Sequence, residues 1–182
     1  MVIANANGIN VNGLGFINTA NAVLSTAKFN QWENGNITFA APTSDLLLQG
    51  DGLNARTTTG LNLITRQFTA EQSEIWASNL DIAADGTLKN TGKILADKNI
   101  TVRADRFTNT ENGYVEADGN IAVAVNQDVT QDAATLQAGG DITISGQQLQ
   151  NKNNSMISGK GNIDIAVAGS VDNAKSIMRA EQ

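Results

Sequence analysis

The residues that could do chemistry are few, and the densest group lies in the segment 41–60. Asp45, Asp51 and Arg56 could transfer protons or hold a calcium ion there, although such residues are also the ordinary charges of solvated loops. The chain has no His and no Cys, which excludes Ser-His-Asp triads, thiolate nucleophiles and ordinary zinc or copper sites. Only carboxylate, Lys or Tyr chemistry, or an oxygen-ligated metal, remains.

The net charge and the apolar runs of the sequence argue against some classes of binding partner. The formal net charge of -6 argues against nucleic acid and against an anionic membrane surface. Apolar runs such as Leu46 to Leu48 are too short to span a bilayer. Met1 is not followed by a basic n-region or an apolar h-region, so we expect any export signal to lie outside this sequence.

A repeat of 21 residues organises the second half of the chain. Four segments align on their apolar positions: "ILADKNITVRA", "VEADGNIAVAV", "LQAGGDITISG" and "ISGKGNIDIAV". They place Ile100, Ile121, Ile142 and Ile163 at intervals of 21 residues. Within each segment apolar residues alternate with polar or small ones, which is the pattern of a strand with one buried face.

A second, shorter strand accompanies each of these strands and ends in an amide residue. These residues form the column Asn90, Asn109, Gln131, Asn151 and Asn173. Stacked amides can hydrogen-bond along a repeat axis, as they do in cross-β stacks. A polar binding stripe is the functional alternative, and Asn also tolerates the positive φ of a tight corner.

Coils of about 21 residues predict an all-β fold, a right-handed parallel β-helix (β-solenoid) with coils about 4.8 Å apart. A doubly wound fold would need amphipathic helices between the strands, and the sequence shows none. The first half is less regular but has Ile9, Val11, Phe16 and Ile17 as candidate strand residues. There we expect an extra-helical hairpin, in the segment 41–60 that breaks the period.

Two stretches carry a family resemblance. "ANANGINVNGLGFINT" and "GLNARTTTGLNLITRQFTAEQSEIWASNLDI" resemble the secretion domain of two-partner secretion exoproteins, which include filamentous-haemagglutinin type adhesins, haemolysins and contact-dependent inhibition toxins. The family hallmark is Asn-Pro-Asn-Gly-Ile followed by Gly-Phe-Ile-Asn-Thr, and this chain has Ala6 in place of the Pro. The resemblance implies that residues 1–84 are the C-terminal part of that domain. Residues 85–182 would then be haemagglutinin-type repeats continuing the same solenoid.

The resemblance also implies a function. The chain would be a non-enzymatic secretion-domain and stalk fragment of a large adhesin or toxin, exported through the periplasm of a Gram-negative bacterium and then secreted or held at the cell surface. An outer-membrane transporter would recognise it through POTRA domains, with Asn5, Asn7, Gly8 and Ile9 as the inherited motif. No cofactor and no metal are implied.

Two other function classes stay open. A glycan- or host-surface-binding segment could use Trp32 or Trp76, although we expect Trp76 to pack in the core or at an end of the solenoid. A polysaccharide-cleaving β-helix enzyme would need carboxylates clustered on one outer face. The outward column Thr101, Ala122, Thr143 and Asp164 lacks such a cluster. An uncapped solenoid end near Ile3 to Val11 would expose strand edges, from which we expect either self-association or a replacement cap made by the first residues.

Overall fold

The computed structural model describes residues 1–33 and 36–181, and its regular structure consists of strands. Over these residues there are 26 strands, numbered β1 to β26 in chain order, and no helix. The described part of the chain accordingly offers no helix that could cross a membrane.

Three parallel sheets of eight strands form the faces of the solenoid. Sheet A contains β1 (Val2–Ala4), β4 (Asn21–Ser25), β9 (Gly60–Thr65), β12 (Leu80–Ala84), β15 (Ile100–Ala104), β18 (Ile121–Val125), β21 (Ile142–Gly146) and β24 (Ile163–Val167). Sheet B contains β2 (Ile9–Val11), β7 (Leu46–Leu48), β10 (Phe68–Ala70), β13 (Thr87–Asn90), β16 (Arg106–Thr110), β19 (Asp128–Asp132), β22 (Gln148–Lys152) and β25 (Val171–Asp172). Sheet C contains β3 (Leu14–Gly15), β8 (Leu53–Ala55), β11 (Glu74–Ala77), β14 (Lys93–Ala96), β17 (Tyr114–Ala117), β20 (Thr135–Ala138), β23 (Met156–Gly159) and β26 (Ile177–Ala180).

Each passage of the chain contributes one strand to every sheet, so the described residues form eight coils. Ile100, Ile121, Ile142 and Ile163 are successive partners in the sheet A register. The predicted all-β parallel β-solenoid with its spacing of about 21 residues is therefore confirmed.

The core fills the space between the three sheets. In β12, Leu80, Ile82 and Ala84 face inward and are buried, while the residues between them are partly exposed. Each buried Leu or Ile contributes about 1.5–3 kcal/mol, whereas ordering the backbone costs about 1–2 kcal/mol per residue. A single coil therefore cannot fold alone, and stability comes from stacking on its neighbours.

The hairpin of the first half is confirmed, but it lies earlier in the chain than predicted. It consists of the antiparallel strands β5 (Ala27–Glu33) and β6 (Asn36–Pro42), inserted between β4 and β7. Most of the segment 41–60 instead belongs to the solenoid, because Leu46 and Leu48 are buried and pair in register with β10. The irregular spacing that suggested a hairpin there comes from the inserted residues before it.

The strand prediction for the first coil is right only in part. Ile9 and Val11 lie in β2, but Phe16 and Ile17 both lie outside the strands. Phe16 is buried directly after β3, whereas Ile17 is 86% exposed. The chain turns there, because Asn18 adopts a positive φ of 54°.

The corner between sheets B and C differs in length from coil to coil. Residues with positive φ recur at this corner: Gln72, Glu111, Asn112, Ala133, Asn153, Asn154 and Lys175. Asn112, Asn153 and Asn154 are among them, and Asn adopts the left-handed conformation at low cost. The sheets keep their register because the extra residues stay in the corners between the strands.

Candidate functional site

The motif Asn5 to Gly8 forms a tight turn between β1 and β2. The Asn5 carboxamide oxygen accepts a hydrogen bond from the Asn7 backbone N–H at 3.1 Å. The Gly8 N–H donates to the Asn5 carbonyl at 3.0 Å, and the φ of Gly8 is 107°. Asn5 and Gly8 therefore shape the turn, since its geometry requires a local acceptor and a residue without a Cβ.

Hydroxyl groups and backbone of the next coil hold this turn in place. The Ala6 carbonyl accepts hydrogen bonds from the Ser44 hydroxyl at 2.7 Å and the Thr43 hydroxyl at 3.2 Å. The Ile9 N–H donates to the Asp45 carbonyl at 3.1 Å, and the Ile9 side chain packs against the core. The Asn7 side chain is exposed and has no hydrogen bond to the described residues. Its amide is thus free to contact a partner.

The amide column forms a ladder inside the solenoid. We call Asn90, Asn109, Gln131, Asn151 and Asn173 the amide ladder. The Asn90 Nδ2 donates to the Asn109 oxygen at 2.8 Å, and the Asn109 Nδ2 donates to the Gln131 oxygen at 2.9 Å. The first four members are 0% exposed, so the ladder cannot serve as a surface binding stripe.

Backbone carbonyl groups accept further hydrogen bonds from three of the ladder amides, Asn90, Asn109 and Asn151. The Asn109 Nδ2 also donates to the Thr135 carbonyl at 3.0 Å, and the Asn151 Nδ2 to the Ile177 carbonyl at 3.1 Å. A Cβ on Gly113 would lie 2.2 Å from the Asn109 oxygen, so glycine is required beside the ladder. Asn90, Asn109 and Asn151 thereby tie their own coils to the next ones.

One step of the ladder is broken. Gln131 and Asn151 are register partners, yet the Gln131 Nε2 and the Asn151 Oδ1 are buried without a hydrogen-bond partner. At the following step the Asn151 Nδ2 reaches the Asn173 oxygen at 2.7 Å. Gln131 is one methylene longer than its neighbours, and it is the residue at which the regular donation fails.

A second polar ladder lies at the corner between sheets C and A. The side-chain oxygens of Asn99, Asn120 and Asp141 each accept the backbone N–H of the corresponding residue in the next coil, at 2.9, 2.8 and 2.7 Å. Sequence reasoning missed this corner ladder. Its signal was visible, since these residues directly precede Ile100, Ile121 and Ile142 and share their 21-residue interval.

A charged and aromatic cluster on the outer face of sheet C bridges three coils. The Arg56 guanidinium lies 3.9 Å from the centroid of the Trp76 ring and 2.9 Å from the Asp97 carboxylate. The Trp76 N–H donates to the same carboxylate at 3.1 Å. The hydrogen bond from Arg56 lowers the pKa of Asp97 below its usual value of 3.8, against the desolvation that raises it.

The candidate chemical residues are not brought together. Asp45 pairs with Arg66 at 2.7 Å, Arg56 pairs with Asp97, and Asp51 lies on a shallow depression between sheets B and C. Among residues 1–33 and 36–181 no three acidic side chains are placed to hold a metal ion. The prediction that Trp76 packs in the core or at an end is wrong, because the alternation of β11 turns Ile75 and Ala77 inward.

These features define a β-solenoid repeat protein held together by stacked amides. Toxin CdiA of Yersinia pestis is 37% identical to the chain over 83 residues, which are 45% of this chain and 2% of that toxin. The chain thus corresponds to a very small part of the length of this relative. No family model and no solved structure gives a match.

Replacing Gln131 with Asn should stabilise the protein. Two buried polar atoms without partners cost about 1–3 kcal/mol each, while loss of one methylene costs about 0.8 kcal/mol. We expect Gln131→Asn to raise the free energy of unfolding in urea by about 1 kcal/mol or more. The matched control is Gln137→Asn on the outer face of β20, which should change stability by less than about 0.5 kcal/mol. A lower stability of Gln131→Asn would contradict the account of the broken step.

The Asp97 cluster should make stability depend on pH. Since its pKa is lowered in the folded state, the contribution of Asp97 is present above its unfolded pKa and is lost as the pH falls through the folded one. Asp97→Asn should therefore reduce stability by about 0.5–1 kcal/mol near pH 7 and by almost nothing near pH 2. The control is Asp164→Asn, an exposed carboxylate on β24. An equal effect of Asp97→Asn at both pH values would refute this assignment.

Proposed function

We propose that this chain is a non-enzymatic rod segment of a large exported toxin or adhesin. The observation that carries the proposal is that three parallel sheets continue through all eight coils of the described chain. Such a solenoid lengthens by addition of coils, which suits a stalk that holds a distant activity away from a surface. The similarity to Toxin CdiA, of which the matched region is only 2%, supports a place within a very long protein.

The change in the amide-ladder column supports a division of the rod near residue 84. In the first three coils the column holds Val11, Leu48 and Ala70, and from Asn90 onward it holds amides. We place the later part of a secretion domain in residues 1–84 and haemagglutinin-type repeats in residues 85–182. The two parts form one continuous solenoid, because the sheets pass from β11 to β14 without interruption.

The turn Asn5 to Gly8 is the candidate recognition element for an outer-membrane transporter acting through POTRA domains. Asn5 and Gly8 fix the turn, and Ile9 anchors it to the core, which leaves the exposed Asn7 amide to bind a partner. The chain would reach the cell surface or the medium through the periplasm of a Gram-negative bacterium. Coil-by-coil folding outside the membrane would favour outward movement, since each coil is stabilised by the one before it.

An export assay tests whether the transporter recognises Asn7. The chain would be fused behind a secretory signal peptide and co-expressed with a two-partner transporter that exports the wild-type fusion. We expect Asn7→Ala to reduce the exported amount about tenfold, the equivalent of about one amide hydrogen bond. Its thermal midpoint should stay unchanged, because the side chain bonds to no described residue.

Two variants separate recognition from folding in this assay. Asn30→Ala alters another exposed Asn, on the hairpin, and should export like the wild type. Asn5→Ala should lower stability as well as export, since it removes the acceptor that holds the turn. If Asn7→Ala is exported like the wild type, the Asn7 side chain does not take part in transporter recognition. The proposal that the chain is a rod segment would be unaffected.

A further inference from the structure

Four of the seven large apolar side chains that are exposed in the described part of the chain lie at one place. Of the large apolar side chains that are exposed, Met1, Val2, Phe29 and Trp32 all belong to β5 or to the chain start beside it. β5 lies next to β1, and the β5–β6 hairpin stands over the outer face of sheet A. Contiguous apolar surface of this kind marks an interaction site on a soluble protein.

One face of the hairpin carries four apolar residues. Phe29 is opposite Phe39 and Trp32 is opposite Ile37, and directly opposed residues of an antiparallel pair share a face. A register shift between Phe29 and Gln31 keeps Phe29 and Trp32 on that same face, although they are three residues apart. The β6 half of this face is partly covered, whereas Phe29 is 54% and Trp32 is 64% exposed.

A groove lies beside the two exposed aromatic side chains. Val2 and Val23 of sheet A form one wall and Ile37 and Phe39 of the hairpin form the other, with Ile64 also lining the cavity of about 300 Å³. The Asp81–Arg103 ion pair, with its atoms 2.6 Å apart, also lines the groove. The apolar patch therefore contains both projecting aromatic side chains and a cavity large enough to receive one of them.

We propose that this surface, the hairpin patch, binds the hairpin patch of a second copy of the chain. A surface that carries its own complement forms an isologous contact, in which two copies close around a two-fold axis. Trp32 of each copy would enter the groove between Val23 and Phe39 of the other. The contact differs from stacking at the solenoid end near Ile3 to Val11, because it uses outer faces and leaves the strand edges free.

The size of the patch sets the expected affinity. Phe29 and Trp32 of both copies would together bury about 400–600 Å² of exposed surface in the dimer, and the groove walls would bury a similar area. A total of about 1,000 Å² lies at the low end of specific interfaces. We therefore expect a reversible dimer with a dissociation constant in the micromolar range.

Sedimentation equilibrium over a range of concentrations tests the contact. The wild type should pass from monomer to dimer without larger species, and Trp32→Ser should weaken dimerisation at least about tenfold. The matched control is Ile17→Ser, which changes the most exposed apolar side chain, outside the patch, and should dimerise like the wild type. A strictly monomeric wild type would overturn the proposal.

Two further measurements distinguish the patch from the solenoid end. Asn10→Lys places a charge on the edge strand β2 and should leave the dimer intact. Loss of dimerisation in Asn10→Lys but not in Trp32→Ser would assign the contact to the end and overturn the proposal. The chain has no Cys, so a mixture of Asn30→Cys and Val23→Cys copies, which keeps Trp32, can be crosslinked with a short bis-maleimide. The mixed product should form, and a mixture with Ile17→Cys in place of Asn30→Cys should give none.

Discussion

The stacking of each coil on its neighbour, one strand spacing apart, is the constraint on which the rest of the structure depends. The backbone groups of β15 pair with β12 on one side and β18 on the other, so no coil satisfies its own hydrogen bonds. The same holds for its apolar side chains, which bury one another along the axis rather than within one coil. A buried side chain therefore packs against the side chain at the same position of the next coil, as Ile100, Ile121 and Ile142 do.

The buried polar residues show how strict this constraint is. An amide inside a core is tolerated only when its donors and acceptor find partners, and Asn90 and Asn109 find them in the next coil and at the following corner. The amide ladder therefore fixes the alignment of successive coils more specifically than apolar packing does. The corner ladder adds the same kind of link at the surface, where side-chain oxygens cap backbone N–H groups that would otherwise bond to water.

The outer faces of the solenoid carry the side chains that take no part in coil stacking. The turn that fixes Asn5 and Gly8 exposes Asn7, and the hairpin inserted after β4 places Phe29 and Trp32 on the surface. Arg56 covers one face of the Trp76 ring. Trp76 therefore links neighbouring coils, and that face of its ring is not available to a ligand. Our proposals for transporter recognition and for self-association both use groups that the solenoid does not need for its own stability.

Features of the structure that repeat with the coil could be predicted from the sequence. Features that depend on single contacts between coils could not. The 21-residue interval of Ile100 to Ile163 and the amide column specify the parallel solenoid, because identical residue types at a fixed interval stack only in such a fold. The exact place of the hairpin is not predictable from the repeat, because Phe29 and Trp32 are three residues apart and follow no solenoid period. The contact of Arg56 with Asp97 joins residues 41 positions apart through two coils, and no local pattern marks it. The broken step at Gln131 depends on a single methylene, which only the placement of its neighbours reveals.

Urea unfolding of a chain that lacks one whole coil tests the nearest-neighbour account most directly. Deleting residues 121–141 joins Asn120 to Ile142 and preserves every sheet position that follows, since Ile121 and Ile142 occupy equivalent positions. We predict cooperative unfolding with a modestly reduced free energy, because the remaining coils still stack on one another. Deleting residues 121–131 instead moves every later strand to a different sheet, and we predict loss of the cooperative transition. Equal stability of the two deletion variants, or failure of the whole-coil variant to fold, would contradict the account.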